Sequence, residues 1–238
     1  MNLKEYDGKR VRVEDIYGYV FTGLARYENC DYLMHEYGGD EDGLIIKENL
    51  VYNSQVKSIE LITVHGTAEL WTQRLTLREY RMEDAETLYR NFGMVPSMYQ
   101  YSGWNPYATP EMARQTVRGY IQSYGDERFY AWVMDFEDVL IGTIGAYDYE
   151  GGQIEVGFSV DEGWRGRGYA TEALVKVLEY LTENEGIPRV TAWCAAENTA
   201  SRGVLEKAGM RLVRTEKAGL TVGDRAYDKL FFEYRRES

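Results

Sequence analysis

The chain has 238 residues, of which 44% are hydrophobic and 14% aromatic, and 27 Lys and Arg stand against 39 Asp and Glu for a formal net charge of -12. This composition excludes general disorder, and the sequence has no repeat typical of collagen-like or low-complexity proteins. No apolar run reaches the roughly 18 to 20 residues of a membrane-spanning helix, and the start MNLKEYDGKR lacks the apolar stretch of a signal peptide. We therefore expect a soluble cytoplasmic protein with no membrane partner, long enough for one large domain or two ordinary ones.

The cysteines, histidines and charges restrict the possible chemistry further. Cys30 and Cys194 lie far apart, which argues against a disulfide framework and predicts two buried thiols in different structural units. With only His35 and His65 as imidazoles, neither a metal site nor a Cys/His nucleophile is predicted. The acidic balance disfavours a nucleic-acid partner and favours a cationic or amine partner, because binding phosphates requires clustered Lys and Arg.

Residues 1–66 contain short β-rich runs separated by turns, and the pattern predicts no helix there. The five predicted strands are residues 10–14, 18–27, 31–36, 44–46 and 56–62. This pattern resembles an Sm-like or SH3-like small barrel over most of residues 6 to 63, which implies a small all-β domain. Residues 1–67 hold four Lys and three Arg against twelve Asp and Glu, so a docking or dimerisation barrel is favoured over an RNA-binding ring. Residues 64–72 are predicted to form a linker.

From Arg74 onward strands alternate with helices, and residues 67–238 are predicted to form a second, α+β domain. A strand at 74–78 is followed by a helix beginning at Met82 and by an aromatic loop at 92–107. Thr109 and Pro110 are typical of an N-cap and a first helical position, and they predict the next helix. The remaining prediction consists of strands at 129–134, 139–147, 153–160 and 189–194, helices at 168–182 and 200–208, and two closing strands in a mostly antiparallel sheet.

Residues 157–170, GFSVDEGWRGRGYA, predict a strand, a basic glycine loop and the start of a helix. Gly166 and Gly168 let backbone N–H groups approach an anion, the helix start adds N–H donors, and Arg165 and Arg167 add positive charge. These features suit a pyrophosphate group. Neither G-x-x-x-x-G-K-[ST] nor G-x-G-x-x-G is present, which argues against a P-loop or a dinucleotide site. From composition alone, a plain turn explains the loop equally well.

The run RGRGYA at 165–170 resembles the R/Q-x-x-G-x-G/A element of the GCN5-related N-acetyltransferases (GNAT), especially their ribosomal-protein N-terminal acetyltransferase (RimJ/RimL-like) branch. The resemblance extends over about residues 72 to 236. It includes TQRLTLR at 72–78, IGTIG at 141–145, EVGF at 155–158, NTASRGVLEKAGM at 198–210 and YDKL at 227–230. It implies a GNAT fold with a mixed, mostly antiparallel sheet flanked by helices, and an N-acetyltransferase that uses acetyl-CoA and no metal.

The same resemblance implies that acetyl-CoA binds between two splayed strands. The pantetheine would pair with strand backbone near Phe158 and Val160, where an N–H group would also polarise the thioester oxygen. Asn198 would face the pantetheine end, and it would also suit a helix N-cap; the two roles are compatible. The phosphate contacts, mostly through backbone N–H groups, would fall on Arg165, Gly166, Arg167, Gly168, Tyr169 and Ala170.

Acetyl transfer to an amine needs a neutral amine, a polarised carbonyl and a proton for the departing thiolate. The resemblance makes Glu155 the candidate base; the alternative is an ordinary exposed strand carboxylate. Many relatives protonate the thiolate with a tyrosine, but Leu205 aligns with that position here. Ser201 is then the candidate acid, and the alternatives are water as the acid and a purely structural Ser201.

The aromatic loop at 92–107 borders the acceptor groove in the fold that the resemblance implies. Tyr99, Tyr101 and Trp104 are the candidate acceptor-binding residues, with cation–π attraction to an ammonium; Met98 and Tyr107 would join them. Filling of the core is the alternative role. The predicted function is acetyl transfer to a primary amine, first a protein or peptide N-terminal α-amine. The alternatives are a small amine, such as a polyamine or an aminoglycoside, and a non-catalytic acyl-CoA-binding protein with a docking barrel.

Overall fold

The computed structural model describes residues 1–46, 48–61 and 65–235. Contacts divide the chain into two units, Met1–Val64 and His65–Ser238. Three residues at the ends of predicted segments are not among the described residues. They are Ile62 of the predicted fifth strand, Val64 of the predicted linker and Arg236 of the GNAT-like region. Among the helices that the structure describes, none is both long and apolar enough to span a membrane.

The first unit is a five-stranded antiparallel sheet with the strand order β4-β3-β2-β1-β5. Its core follows from alternation along the strands: Val11 and Val13 are buried, whereas Arg12 and Glu14, which alternate with them, are half-exposed. The elements are β1 (Arg10–Asp15), β2 (Val20–Glu28), α1 (Cys30–Tyr37), β3 (Gly43–Ile46), β4 (Asn49–Tyr52) and β5 (Val56–Leu61), preceded by a 3-10 turn at Leu3–Tyr6.

The prediction of no helix in this unit is wrong, because the predicted strand at 31–36 is the helix α1. The Asn29 side chain accepts a hydrogen bond from the Tyr32 N–H (2.9 Å), and Gly38 ends the helix in the left-handed conformation. The strand β4 was not predicted and restores the number of strands to five. In the described part of residues 1–61, β4 and β5 are the two edge strands of the sheet and do not pair with each other. The predicted closed barrel is therefore not confirmed.

The second unit is an eight-stranded mixed sheet with helices, in the order β12-β13-β11-β10-β9-β8-β7-β6. Among its described pairs only β10 and β11 are parallel, so the predicted mostly antiparallel sheet is confirmed. The strands are β6 (Leu70–Trp71), β7 (Thr76–Arg78), β8 (Tyr130–Phe136), β9 (Val139–Glu150), β10 (Gln153–Val160), β11 (Arg189–Ala195), β12 (Arg211–Val222) and β13 (Arg225–Tyr234); the helices are α2 (Asp84–Leu88), α3 (Pro110–Ser123), α4 (Tyr169–Glu179) and α5 (Thr199–Lys207).

The stretch predicted as a linker is part of the second unit. Thr67 is buried; its hydroxyl donates to the Phe129 carbonyl (2.8 Å) and accepts from the Ala131 N–H (3.0 Å). The indole N–H of Trp132, a fully buried residue, donates to the Ala68 carbonyl (2.6 Å). Residues 67 and 68 are therefore held against β8 by hydrogen bonds that a free linker would lack.

A buried ion network joins β7, β8 and the start of α2. Arg78, Asp84 and Asp135 expose only 8%, 5% and 7% of their surface. The Arg78 guanidinium donates two bonds to Asp84 (2.8 and 2.9 Å) and two to Asp135 (2.5 and 3.2 Å). The guanidinium thus pairs with both carboxylates inside the fold.

Candidate active site

The site begins where two neighbouring strands separate. The parallel ladder between β10 and β11 stops at the pair Glu155 and Thr191, although the strands continue to Val160 and Ala195. In a ladder, alternate residues direct their N–H and C=O groups to opposite neighbours. Beyond Glu155, the backbone groups of β10 that face away from β9 therefore border an open gap.

A cavity of about 900 Å³ lies at this gap. This volume lies near the upper end of the roughly 300 to 1,000 Å³ that small-molecule sites span. Nine of the predicted site residues line it: Met98, Tyr99, Tyr101, Trp104, Tyr107, Glu155, Phe158, Asn198 and Ser201. The other predicted residues do not line it but lie at the end of β10 and the start of α4: Val160, Arg165, Gly166, Arg167, Gly168, Tyr169 and Ala170.

The glycine loop has the backbone that an anion site requires. Gly166 and Gly168 adopt positive φ angles of 76° and 85°, which favour glycine, and nothing lies within 4 Å of the place where a side chain on Gly166 would start. Among the described residues, the N–H groups of 166–168 have no backbone partner, and the first turn of α4 adds further free donors. The loop therefore presents a row of N–H groups to open space.

The two arginine side chains of this loop bind the protein itself. The Arg165 guanidinium donates to the Val160 carbonyl (3.0 Å) and to the Ser97 hydroxyl (3.3 Å). Arg167 donates to the Gly163 carbonyl (3.1 Å) and lies over the Trp164 ring. Their charges remain next to the loop, but the direct anion contacts available are those of the backbone.

Sequence reasoning missed a clamp that fixes the loop from outside. The Arg74 guanidinium donates to the Arg167 carbonyl (3.1 Å), pairs with Glu172 on α4 (2.7 Å) and lies 4.4 Å from the centre of the Tyr169 ring. Thr72 also donates to Glu172 (2.5 Å). The acidic residue in the first turn of α4 was the only signal for this contact in the sequence.

Glu155 has two neighbours that the sequence did not point to. The Trp193 indole donates to its carboxylate (2.8 Å), and Tyr147 stands opposite Glu155 in the ladder between β9 and β10. Burial, and then the negative charge of Glu155, raise the pKa of Tyr147. Tyr147 lies across Gly157, because a side chain on Gly157 would start 2.9 Å from the Tyr147 hydroxyl. Glu155 is therefore an oriented carboxylate in a cavity wall.

The start of α5 brings Asn198 and Ser201 into the lining of the same cavity. The Asn198 side chain accepts from the Ser201 N–H (3.1 Å) and caps the helix, as one of its two predicted roles required. The Ser201 hydroxyl has no hydrogen-bond partner among the described residues, so it is available to a ligand. Leu205 is fully buried and lines the same wall.

The two cysteines differ in environment. Cys194 is buried in the cavity wall, and burial raises the pKa of its thiol to about 11. Cys30 is only half-buried, so the prediction of a second buried thiol is wrong. Asn29 caps α1 directly before Cys30 and leaves this residue at the edge of the helix.

The aromatic loop at 92–107 is divided between the cavity and the core. Tyr99, Tyr101 and Trp104 line the cavity, and Trp104 is 65% exposed at its edge. Tyr101 packs edge-on against Tyr227 of β13 (5.5 Å between ring centres). Tyr107 belongs to both: it is buried in the core cluster formed with α2 and α3, as the core-filling alternative predicted, and it also lines the cavity.

In the part of the chain that the structure covers, no group of three or more His, Cys, Asp and Glu side chains is placed to hold a metal ion. The chemistry available at the site is that of an oriented carboxylate, a free hydroxyl and backbone donors.

Comparisons with known proteins bear on the same region. A family model described as an acetyltransferase (GNAT) domain matches residues 74–211. The uncharacterized N-acetyltransferase YnaD of Bacillus subtilis is 30% identical over 169 residues, which cover 70% of this chain and 96% of YnaD. A GNAT-family acetyltransferase structure from Bacillus anthracis superimposes with a TM-score of 0.62 and 25% identity, over 69% of this chain and 96% of that chain. RimL, a ribosomal-protein α-N-acetyltransferase solved with coenzyme A, has the same fold, with a TM-score of 0.63 and 18% identity over 69% and 95% of the two chains.

Proposed function

The chain belongs to the GNAT acetyltransferase family and is an N-acetyltransferase, and we propose that it transfers the acetyl group of acetyl-CoA to a primary amine, first a peptide N-terminal α-amine. The observation that carries the proposal is the presence of Glu155 and Ser201 in the lining of one cavity at the separated strands. The predicted GNAT fold and enzyme class are confirmed by the family match.

The residues present fit acetyl-CoA. The loop at 166–168 and the first turn of α4 offer backbone N–H groups to the phosphates, and the open edge of β10 near Phe158 offers backbone groups to the pantetheine amides. When bound, acetyl-CoA supplies an acetyl group activated as a thioester. A β10 N–H group facing the gap would polarise the thioester oxygen.

Glu155 takes the proton of the acceptor amine in this proposal, directly or through one water. The hydrogen bond from Trp193 holds its carboxylate in one orientation, and Tyr147 lies beside it in the neighbouring strand. A fixed orientation matters because a general base must lie within hydrogen-bond reach of the proton it removes. Ser201, whose hydroxyl is free, gives a hydrogen bond or a proton to the departing sulfur, and water is the alternative donor.

We further propose that the first unit is a docking module of the Sm-like or SH3-like type, which binds a second copy of the chain or another protein. The turn between β1 and β2 supports this role, because Ile16, Tyr17 and Tyr19 are exposed there. The turn is ordered, since the Asp15 carboxylate accepts from the N–H groups of Tyr17 and Tyr19 (2.9 and 2.8 Å). A cytoplasmic location belongs to the same proposal, because reducing conditions keep the two free cysteines as thiols.

Purified protein with acetyl-CoA and a panel of peptides, polyamines and aminoglycosides tests the activity, with acetylated products read by mass spectrometry. We expect acetylation of at least one class of amine. Tight binding of acetyl-CoA with no transfer to any acceptor would contradict the enzyme assignment and favour a non-catalytic acyl-CoA-binding protein.

Gly168→Ala is expected to raise the Kd for acetyl-CoA about tenfold and to leave kcat nearly unchanged. The reason is that a side chain in the left-handed region costs about 1 to 2 kcal/mol, which the loop relieves by moving its N–H groups. Titration calorimetry measures the Kd. Gly163→Ala in the same loop is the matched control, because its φ is not positive and its nearest neighbour would lie at 3.5 Å. Equal affinity in the wild type and both variants would contradict the proposed phosphate site.

Acetyl-CoA is expected to protect Cys194 from alkylation. Thiolates are the reactive species, so labelling of Cys194 should rise about tenfold per pH unit between pH 8 and 10, below the pKa of about 11. Iodoacetamide labelling followed by peptide mass spectrometry gives the rates, and half-exposed Cys30 is the internal reference. An unchanged labelling rate of Cys194 at saturating acetyl-CoA would indicate that the bound cofactor does not cover this wall of the cavity.

A further inference from the structure

Five aromatic side chains, called here the aromatic floor, line the cavity that also holds the proposed base. The rings of Phe92 and Tyr107 are 6.4 Å apart, those of Tyr80 and Tyr120 are 4.8 Å apart, and those of Tyr120 and Phe129 are 5.7 Å apart. All five side chains line the cavity. They come from α3, from the two segments that flank α2 and from the residue before β8, and Tyr80, Phe92 and Tyr107 are buried. This floor therefore belongs to the packed core.

The floor carries no charge. Its polar groups are the hydroxyls of Tyr80, Tyr107 and Tyr120. Burial raises the pKa of all three phenols, so they stay neutral at physiological pH. Among the described lining residues, the charged side chains are Glu155, Asp148 and Arg128.

The strand register places the floor within reach of Glu155. Glu155 on β10 stands opposite Tyr147 on β9, and the next residue, Ala146, stands opposite Tyr130 on β8, which directly follows Phe129. Two strand spacings amount to about 10 Å. A single amine with a short carbon chain and one ring fills such a span.

The charges argue against a polyamine or an aminoglycoside. Asp148, the lining carboxylate besides Glu155 among the described residues, is exposed on β9 and is not part of the floor. A second ammonium on the floor itself would lose its water, and cation–π attraction returns only part of that cost. An aromatic ring on the same floor buries a large apolar area and packs edge-to-face with the tyrosine rings. The floor therefore favours an apolar ring next to one amine.

We propose that the acceptor is an arylalkyl monoamine, with its ring on the floor of Tyr80, Phe92, Tyr107, Tyr120 and Phe129 and its amine at Glu155. The inference rests on the proposed acetyl transfer and names the acceptor of that same site. A free arylalkylamine and a peptide that begins with Phe, Tyr or Trp share this chemistry.

A matched panel tests the proposal: peptides that differ only in an N-terminal Phe, Leu, Ala or Ser, together with phenethylamine and spermidine. We expect kcat/KM for the Phe peptide or for phenethylamine to exceed that for the Ala peptide and for spermidine at least tenfold, with Leu between Phe and Ala. The better of the two aromatic acceptors identifies the source of the ring. Turnover of the Ala or Ser peptide or of spermidine with equal efficiency would overturn the inference and leave the acetyltransferase proposal standing. No turnover of any amine would overturn both.

A pair of variants locates the preference on the floor. Tyr120→Leu removes a ring that lines the cavity, and it should narrow the Phe to Ala ratio at least fivefold. Tyr89→Leu removes a partly buried ring that packs against the same core cluster without lining the cavity, and this control should keep the wild-type ratio. Melting curves check that both variants fold. If both variants changed the ratio equally, the floor would not be the source of selectivity.

Discussion

Glu155→Gln should lower kcat about 100- to 1,000-fold at neutral pH while the affinity for acetyl-CoA stays nearly unchanged, because a positioned general base contributes on that scale and Glu155 lies outside the phosphate loop. Gln keeps the size of the side chain and can still accept the bond from Trp193. The lost rate therefore reports proton transfer and not a collapsed wall.

Steady-state kinetics over a range of pH give the diagnostic readout. The deficit of Glu155→Gln relative to the wild type should shrink at high pH, where the acceptor amine is already neutral in solution and depends less on a base. Glu150→Gln is the matched control, because Glu150 is exposed at the end of β9 and does not line the cavity. Unaltered turnover in Glu155→Gln would remove this residue from the mechanism.

Arg78→Met should lower the free energy of unfolding of the second unit by about 3 to 5 kcal/mol. The substitution leaves the carboxylates of Asp84 and Asp135 buried without their cation. Buried charges that have lost their partner account for such large effects, whereas exposed ion pairs are worth at most about 1 kcal/mol. Urea unfolding followed by circular dichroism measures the loss.

Two further variants make this prediction specific. Arg90→Met breaks the exposed pair with Glu86 and should change the free energy by no more than about 1 kcal/mol. Adding Asp135→Asn to Arg78→Met should recover part of the loss, because one uncompensated charge is removed. If Arg78→Met and Arg90→Met cost the same, the network would contribute no more than a surface pair.

The elements of the second unit were largely predictable because their local signals agree. Thr109 and Pro110 mark the start of α3, and the Thr109 side chain accepts from the Met112 N–H as an N-cap does (3.1 Å). Strand β10 has the predicted bounds, since its apolar residues alternate over the whole run. In the first unit, 31–36 was misassigned because a six-residue run with Leu33 as its only buried residue has no decisive period.

The contacts within the site were less accessible to sequence reasoning. Trp193 and Tyr147 reach Glu155 only through the register of three neighbouring strands, and that register is a tertiary property. The arginines of the loop show a related limit: a sequence gives their charge, but packing decides that Arg165 turns back to Val160. For the aromatic loop the sequence left both roles open, and packing decides that Tyr107 enters the core while Trp104 stays exposed.

The clamp between Arg74 and Glu172 has a consequence for the order of folding. The two residues are 98 positions apart in the chain, so their contact closes late and only when most of the second unit has assembled. Until then, RGRGYA lacks the hydrogen bond to the Arg167 carbonyl and the cation beside the Tyr169 ring, although Phe136 and Trp164 also pack against that ring. Affinity for the cofactor thus depends on tertiary assembly that is completed late. A fragment that begins after β7 would contain the complete RGRGYA motif but would lack the Arg74 clamp that shapes the loop.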